Sequence, residues 1–519
     1  MPRVLLIIVS ILTLTILGVI AYGNSLNGGF LWDDDFLVKD NAYIKSFGHV
    51  REIFSSNIGS GAGRAFKPYR PLQIMSYTAD YFLWGLDVKG YHVTNMLLHI
   101  SAAIALLWLL NLLFQDMPLS LIACALFVTH PVHTEAVTYI SGRADPLAAL
   151  FLMLGLVCYI KYVDKPAASP LFFMALCYAM ALLSRESAMI FPALAGLCHL
   201  ASKRKMRAEP FIIMALLSAV FLFIRHEALR NIVFGEPAGG TFAERIPGFF
   251  AALAGYFRIL IVPYGLHLGY GDKVFAVVSF RVLAGLSVFI ILCGAWMKAW
   301  RSRGRERVVL FSLSWFFITL LPQSNLYPVS AYMAEHWLYL PSMGFFLVMA
   351  WGLVNLYRKN TVVCRASAAV IVSALVIYYA SVTRKQNAYW NDPMAFYIAT
   401  IRYEKDNPKL YNNLGKLYEE RGDAAEAVRM YSRALAIKPD CIAYYNLGNA
   451  YMKGGFYRDA VSAYKASVGL RPGFSEAFFN MGAAYECLGE KDEAVWAYRK
   501  ALEFNPRDTA ARGKLTNMR

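Results

Sequence analysis

The amino-acid sequence predicts an all-α protein in two parts: a polytopic bundle of about eleven membrane-crossing helices, then an α-solenoid of short helix pairs. Three observations predict it. Of 519 residues, 58% are hydrophobic and 15% aromatic, more apolar surface than a soluble domain buries, so a bilayer must be the solvent for most of it. The apolar residues come in runs, several of them long enough to span at about twenty residues per crossing. Near residue 385 the runs stop, and a motif repeating every 33 or 34 residues begins.

The first run, 4–22, follows one arginine and is apolar throughout. It exceeds the roughly 7–15 residues of a signal-peptide core, so an uncleaved helix is expected rather than a signal ending near Ala21. A polar stretch to about Gly90 follows, then apolar runs near 91–114, 117–130, 146–163, 170–184, 188–201 and 209–226, and further ones near 275–299, 308–321, 338–357 and 362–382. The run 249–271 is broken by Arg258, Pro263 and several glycines. Were it to cross, the arginines at 301–307 would fall outside, against the positive-inside tendency, so a re-entrant or interfacial helix is expected there.

The net charge of +16 does not point to nucleic acid. The basic residues concentrate in connectors, Lys203, Arg204, Lys205 and Arg207 in one and Arg301, Arg303, Arg305 and Arg307 in another, and no basic stripe interleaved with aromatics occurs in the soluble part. With the N-terminus in the cytoplasm these clusters are topology anchors. The loops at 23–90, 131–145, 227–248 and 322–337, with everything after about 383, then lie on the non-cytoplasmic side, periplasmic or lumenal. Six of eight cysteines sit in apolar runs and none has metal-type spacing, so they read as small hydrophobes.

In the tail, Leu414-Gly415, Leu447-Gly448 and Met481-Gly482 are each followed by tyrosine, Tyr418, Tyr451 and Tyr485. A second helix then carries Ala427 and Tyr431, Ala460 and Tyr464, Ala494 and Tyr498, closed by Pro439, Pro472 and Pro506. This is a tetratricopeptide pattern, in which glycine lets two helices approach and proline ends the second. The expected domains are 1–385 for the membrane part and 386–519 for the repeats, at about 408–440, 441–474 and 475–508. A linker helix from Trp390 to Asp406, begun by Asp392 before Pro393, precedes them and a short cap follows. Asn413, Asn446 and Asn480 recur two residues before each glycine. They align on one face, either to grip a peptide or to bridge neighbouring helices.

Candidate chemistry lies in the polar segments. Asp33, Asp34 and Asp35 stand just past the first helix, and adjacent carboxylates raise one another's pKa, which suits one to take a proton. A divalent cation such as Mg or Mn, or a solvated acidic turn, is the alternative. Arg70 ends a basic group. His130, His133, Glu135, Arg143 and Asp145 cluster at a helix end, Arg185 and Glu186 interrupt an apolar hairpin, and Glu335 and His336 begin the helix after an outer loop. Ionisable groups at such depths are functional candidates. The two histidines do not make the helical His-Glu-x-x-His zinc arrangement.

The succession FLWDD (30–34), YRPL (69–72), GYHVTNMLLH (90–99), HPVHTEAV (130–137), SGRAD (141–145), LLSRES (182–187) and NLYPVSAYMAEHWLYLPSMG (325–344), followed by the repeats, resembles the transmembrane and tetratricopeptide-repeat-containing O-mannosyltransferases. That resemblance implies a GT-C-like fold and transfer of mannose or another hexose from a polyprenyl-phosphate donor to a protein hydroxyl, with the repeats recruiting the acceptor. It implies a base at Asp33 or Asp34, Asp35 being an extra carboxylate. It places Arg185 where lysine is usual and His336 where arginine is usual. Arg70, Arg143 or Arg185 would neutralise the leaving phosphate, and a single displacement would invert the sugar. A lipid or polysaccharide acceptor, or a non-catalytic scaffold anchored by its helices, is the competing reading.

Overall fold

A computed structural model describes residues 3–201, 204–230, 232, 241–271, 275–302, 306–324, 326, 331–359 and 361–518. Lys203, Arg303, Arg305, Asn325 and 327–330 of the motif above lie outside the described residues. The chain divides into two units, Met1–Asp392 and Pro393–Arg519.

The first unit holds α1 (Arg3–Tyr22), α2 (Val50–Ser55), α3 (Pro71–Trp84), α4 (Val88–Phe114), α5 (Met117–Thr129), α6 (Thr134–Val137), α7 (Ala144–Asp164) and α8 (Ala168–Ser184). It continues with α9 (Phe191–Ala201), α10 (Ala208–Leu229), α11 (Phe242–Ile261), α12 (Phe280–Arg301), α13 (Arg307–Leu320), α14 (Pro341–Tyr357) and α15 (Val362–Asn391). Among the described residues six helical segments are long and apolar enough to cross a membrane: Val4–Asn27, Val88–Phe114, Ile140–Asp164, Ala208–Leu229, Phe280–Arg301 and Val362–Asn391. The pair Met117–Thr129 and Pro131–Val137 passes the same test only when taken together and is bent by 54°, as a broken span or a re-entrant loop is, and Ala168–Ser184, Arg307–Gln323 and Pro341–Tyr357 are shorter apolar helices. The bend follows from Pro131, which lacks an N–H and pushes His130 into extended backbone. The expected run at 188–201 is instead a 3-10 turn, Glu186–Ile190, followed by the 11 residues of α9.

The run expected as one re-entrant or interfacial segment at 249–271 is the end of α11 and an irregular loop. Thr241 and Glu244 form a capping box at the helix start, Pro247 is tolerated in its early turns, and the helix stops before Pro263. Gly265, Gly269 and Gly271 have positive φ in the loop. Against α11, Gly285 of α12 packs so closely that a Cβ would stand 1.8 Å from the carbonyl oxygen of Phe250.

The first unit extends past the boundary expected at 385. Here α15 carries polar residues that bond into the same unit: Thr383 donates to the Thr129 carbonyl at 2.7 Å, Arg384 to that of Ile20 at 2.7 Å, and Asn387 to that of Ala21 at 2.9 Å. Such bonds hold the helix beyond its apolar stretch, so Trp390 and Asn391 belong to α15 rather than to a linker helix. Between α1 and α4, short helical turns enclose a small core of Phe36, Leu37, Val38, Ile44, Ile53 and Ile58 against Ile74, Tyr77, Tyr91 and Ile140. That core mounts the acidic segment on α3 and α4.

The second unit begins with α16 (Pro393–Ile401), shorter than the helix expected to Asp406. The repeats follow as α17 (Pro408–Glu420) with α18 (Ala424–Ile437), α19 (Cys441–Lys453) with α20 (Tyr457–Leu470), and α21 (Ser475–Leu488) with α22 (Lys491–Phe504), closed by α23 (Thr509–Asn517). Each signature glycine lies under the tyrosine ring of its partner helix. A Cβ at Gly415, Gly448 or Gly482 would come within 2.7, 2.4 or 2.8 Å of Tyr431, Tyr464 or Tyr498, which is the physical reason for a residue without a side chain there.

Candidate functional site

The acidic turn after α1 sends its three carboxylates in different directions. Trp32 adopts φ 50, a left-handed conformation uncommon outside glycine. The Asp34 N–H donates to the Leu31 carbonyl at 2.8 Å and the Leu31 N–H donates to Asp34 Oδ2 at 3.0 Å. Asp34 is buried, and its Oδ1 accepts from the Ser141 N–H at 2.8 Å and from the Ser141 hydroxyl in a short bond. Burial pushes its pKa up to about 7 against the lowering effect of those donors, and the Asp33 charge adds to the rise. Asp35 turns outward to Lys39 at 2.8 Å. Asp33 is the carboxylate that lines a cleft, its own N–H donating to the Tyr139 hydroxyl at 3.0 Å.

The cleft has a volume of about 250 Å³, and Arg70, Glu135, Asp145, Arg185 and His336 share its wall with Asp33. Its ionisable side chains are held in pairs. Arg70 Nε donates to Glu186 Oε2 at 3.1 Å, and the Tyr69 N–H donates to Glu186 Oε1 at 2.7 Å. Burial raises the Glu186 pKa, but the Arg70 charge and these bonds outweigh it, leaving the carboxyl below its usual range. Arg185 pairs with Asp145. His336 Nδ1 lies 2.6 Å from Glu135 Oε1, and its N–H donates to Glu135 Oε2 at 3.0 Å. Two arginines anchored by carboxylates thus face the same cavity as Asp33, an arrangement that can take an anion beside a base.

Other residues expected at the site lie elsewhere. Arg143 is fully buried away from the cleft: it pairs with Asp80 at 2.5 Å and donates to Asn95 Oδ1 at 2.6 Å, Ser76 Oγ at 3.2 Å and the Tyr91 carbonyl at 3.1 Å. The Tyr77 ring sits 4.6 Å from its guanidinium carbon. Its donors are engaged by the protein, so the expected phosphate contact at Arg143 is corrected to a structural ion pair. His130 and His133 are also buried, among Phe127, Tyr339, Phe346 and Tyr379. Their ring nitrogens meet the Leu260 carbonyl and Val132 N–H in one case, and the Phe127 carbonyl and Ser342 hydroxyl in the other. They are core histidines rather than substrate contacts.

Glu335, adjacent to His336 in sequence, points away from the cleft. Its Oε1 accepts from the His267 N–H at 2.6 Å and the Tyr270 hydroxyl at 2.7 Å, which ties down the glycine-rich loop after α11. Burial and, after it, the Glu135 charge push its pKa well above the usual carboxylate value, towards the neutral acid that an amide mimics. Glu335→Gln is therefore expected to leave thermal stability and activity near the parent's. Glu335→Ala leaves two buried donors without an acceptor and costs about 1–3 kcal/mol. A Gln variant that unfolds like the Ala variant contradicts this.

Among the described residues no group of three or more His, Cys, Asp or Glu side chains converges as a metal site. The divergence of Asp33, Asp34 and Asp35 does not fit a shared Mg or Mn ion. Tyr139, Ser141 and Trp32 are cleft residues that the sequence reading did not single out. Ser141 opens the SGRAD motif, Tyr139 lies two residues before it and Trp32 lies within FLWDD, and those positions were their only signal.

In the second unit the three asparagines bridge. Asn413 Nδ2 donates to the Tyr397 hydroxyl at 3.2 Å, and Asn446 Nδ2 to Asn412 Oδ1 at 3.1 Å. Asn480 Nδ2 donates to Asn449 Oδ1 at 2.8 Å and to the Tyr445 hydroxyl at 3.1 Å. Each of these amides donates to a neighbouring helix of the solenoid, Asn413 to α16 and Asn446 and Asn480 to the first helix of the preceding repeat.

Family models described as tetratricopeptide repeat match residues 408–441 and 445–509. Over most of the chain, a protein O-mannosyl-transferase TMTC3 of Mus musculus is 27% identical across 464 residues, 81% of this chain and 50% of the relative. The Homo sapiens TMTC3 is 26% identical over 82% of this chain and 51% of its own length. The chain matches the protein O-mannosyl-transferase family. A match over 81% of the chain cannot be confined to the repeats, so the likeness to these mannosyl-transferases takes in most of the apolar unit. A Xenopus laevis tmtc2 reaches 37% identity over 149 residues, 28% of this chain and 18% of the relative. The chain spans about half the length of the first two mannosyl-transferase relatives.

Proposed function

We propose that this membrane protein is a GT-C-type glycosyltransferase that moves a hexose, mannose by likeness to its relatives, from a polyprenyl-phosphate donor to a Ser or Thr hydroxyl of a protein. The observation that carries the reading is the cleft: it holds Asp33 as its acidic-turn carboxylate together with Arg70 and Arg185, each fixed by its own carboxylate partner.

The acceptor hydroxyl gives its proton to the Asp33 carboxylate while its oxygen attacks the anomeric carbon. The bond from that carbon to the phosphate oxygen breaks, and its electron pair leaves with the polyprenyl phosphate. Arg70 and Arg185 offset the charge that grows there, as preorganised donors do in a site shielded from water. One displacement inverts the anomeric configuration. Tight Arg–carboxylate pairing before substrate binds keeps both guanidinium groups oriented without a long-lived unpaired charge.

The basic connectors favour a cytoplasmic N-terminus, which puts the acidic turn and the repeats on the periplasmic or lumenal side, where lipid-linked sugar and exported acceptors meet. The repeats would recruit the acceptor through the solenoid surface rather than through the amides of Asn413, Asn446 and Asn480. Comparative glycoproteomics of exported proteins from cells with and without the gene tests the assignment. Loss of hexose from Ser or Thr peptides is expected. Unchanged protein glycans with an altered surface polysaccharide would move the acceptor to another class, and no glycan change would leave an anchored scaffold.

A further inference from the structure

We propose that Ser141 is a positioning residue of this transferase, which acts through Asp34 to set where the Asp33 carboxylate meets the acceptor hydroxyl. The inference rests on the reading of Asp33 as the base. Asp33 stands between Trp32, held at φ 50, and Asp34, and a left-handed tryptophan persists only where the surroundings over-determine it. The Asp34 carboxylate supplies that restraint: one oxygen is taken by the Leu31 N–H within the turn and the other by two groups of Ser141, 107 residues away. The Tyr139 hydroxyl adds a fourth tie, to the Asp33 N–H itself.

Ser141 is a rigid partner. It belongs to the 3-10 turn Ile140–Arg143, whose carbonyls at Ile140 and Ser141 accept from the Tyr77 hydroxyl at 3.1 Å and Gln73 Nε2 at 3.0 Å. Gly142 brings this turn so close to α6 that a Cβ would stand 2.3 Å from the Glu135 carbonyl oxygen. Glu135 in turn holds His336 across the cleft. The turn therefore ties the acidic segment to the wall that carries His336, and the Ser141 hydroxyl is the one side-chain group in that joint that reaches Asp34.

The test uses the full chain in proteoliposomes, with a synthetic short-chain polyprenyl-phosphate mannose and a Ser/Thr-rich peptide as probes. Ser141→Ala is expected to lower turnover about 10- to 100-fold, the scale of a small misplacement of a reacting group, with little change in donor KM. Ser141→Thr, which keeps the hydroxyl, is expected to recover most of it. Amide exchange gives a second readout that does not depend on turnover: Ser141→Ala is expected to speed exchange at Leu31 and Asp34 about tenfold, and Ser141→Thr to restore protection. Asp33→Asn is expected to lower turnover about 10²- to 10⁴-fold while leaving that exchange as in the parent.

Unchanged exchange in Ser141→Ala overturns the restraint, and faster exchange with parental turnover overturns the positioning role. A donor KM that rises in step with the fall in turnover makes Ser141 a binding residue and overturns the positioning role. Asp33→Asn with parental turnover instead defeats the base assignment, an outcome that the exchange data keep separate.

Discussion

Asp33→Asn is expected to lower sugar transfer about 10²- to 10⁴-fold, the range for loss of a general base, without reducing the amount of folded protein. The carboxylate lines the cleft, and Asn retains the backbone ties of Asp33, its N–H to the Tyr139 hydroxyl and its carbonyl to the Leu37 N–H. Asp34→Asn is expected to behave differently. An amide cannot accept on both sides, so its NH₂ group would meet either the Leu31 N–H or the Ser141 donors, and the buried turn would lose stability. Size-exclusion profiles and thermal unfolding beside transfer assays separate the two. Equal loss of activity in two equally well-folded variants would argue that both carboxylates meet substrate.

Arg143→Met is expected to destabilise the first unit by about 3–5 kcal/mol, because removing one partner of a buried pair strands the other charge. Asp80 would stay buried opposite an apolar side chain, while Asn95, Ser76 and the Tyr91 carbonyl lose a donor. The phenotype is therefore a shortage of folded protein rather than a slow enzyme. Arg143→Met with Asp80→Leu is expected to regain part of the loss, since an ion pair exchanged whole for apolar groups is often tolerated. Thermal unfolding in detergent measures both. An Arg143→Met protein of parental stability that no longer transfers sugar would put the guanidinium back at the donor phosphate.

The two arginines at 143 and 185 show where reading the chain alone stops. Both stand beside acidic residues at helix ends, and nothing local distinguishes them. Asp80 and Asn95, which take Arg143 out of the cleft, lie 63 and 48 residues earlier, whereas Asp145, the partner of Arg185, faces the cavity. His130 and His133 fail as site residues for the same reason: their partners at Leu260 and Ser342 are 130 and 209 residues away.

The apolar runs, the end of one of them near 130 and the 33- and 34-residue period were legible because each is a local property of consecutive residues. Hydropathy over one stretch decides what solvent it needs, and a glycine under a tyrosine recurs in every repeat because each repeat solves the same packing problem. The direction of a side chain is not local. Asp33 and Asp34 are indistinguishable in composition and spacing, and only contact with Ser141 and Leu31 buries one and leaves the other at the cleft. Sequence by itself determined the all-helical class, the repeats and the segment that holds the acidic group. Tertiary structure decided which carboxylate and which arginines share a cavity, because that depends on partners brought close by folding.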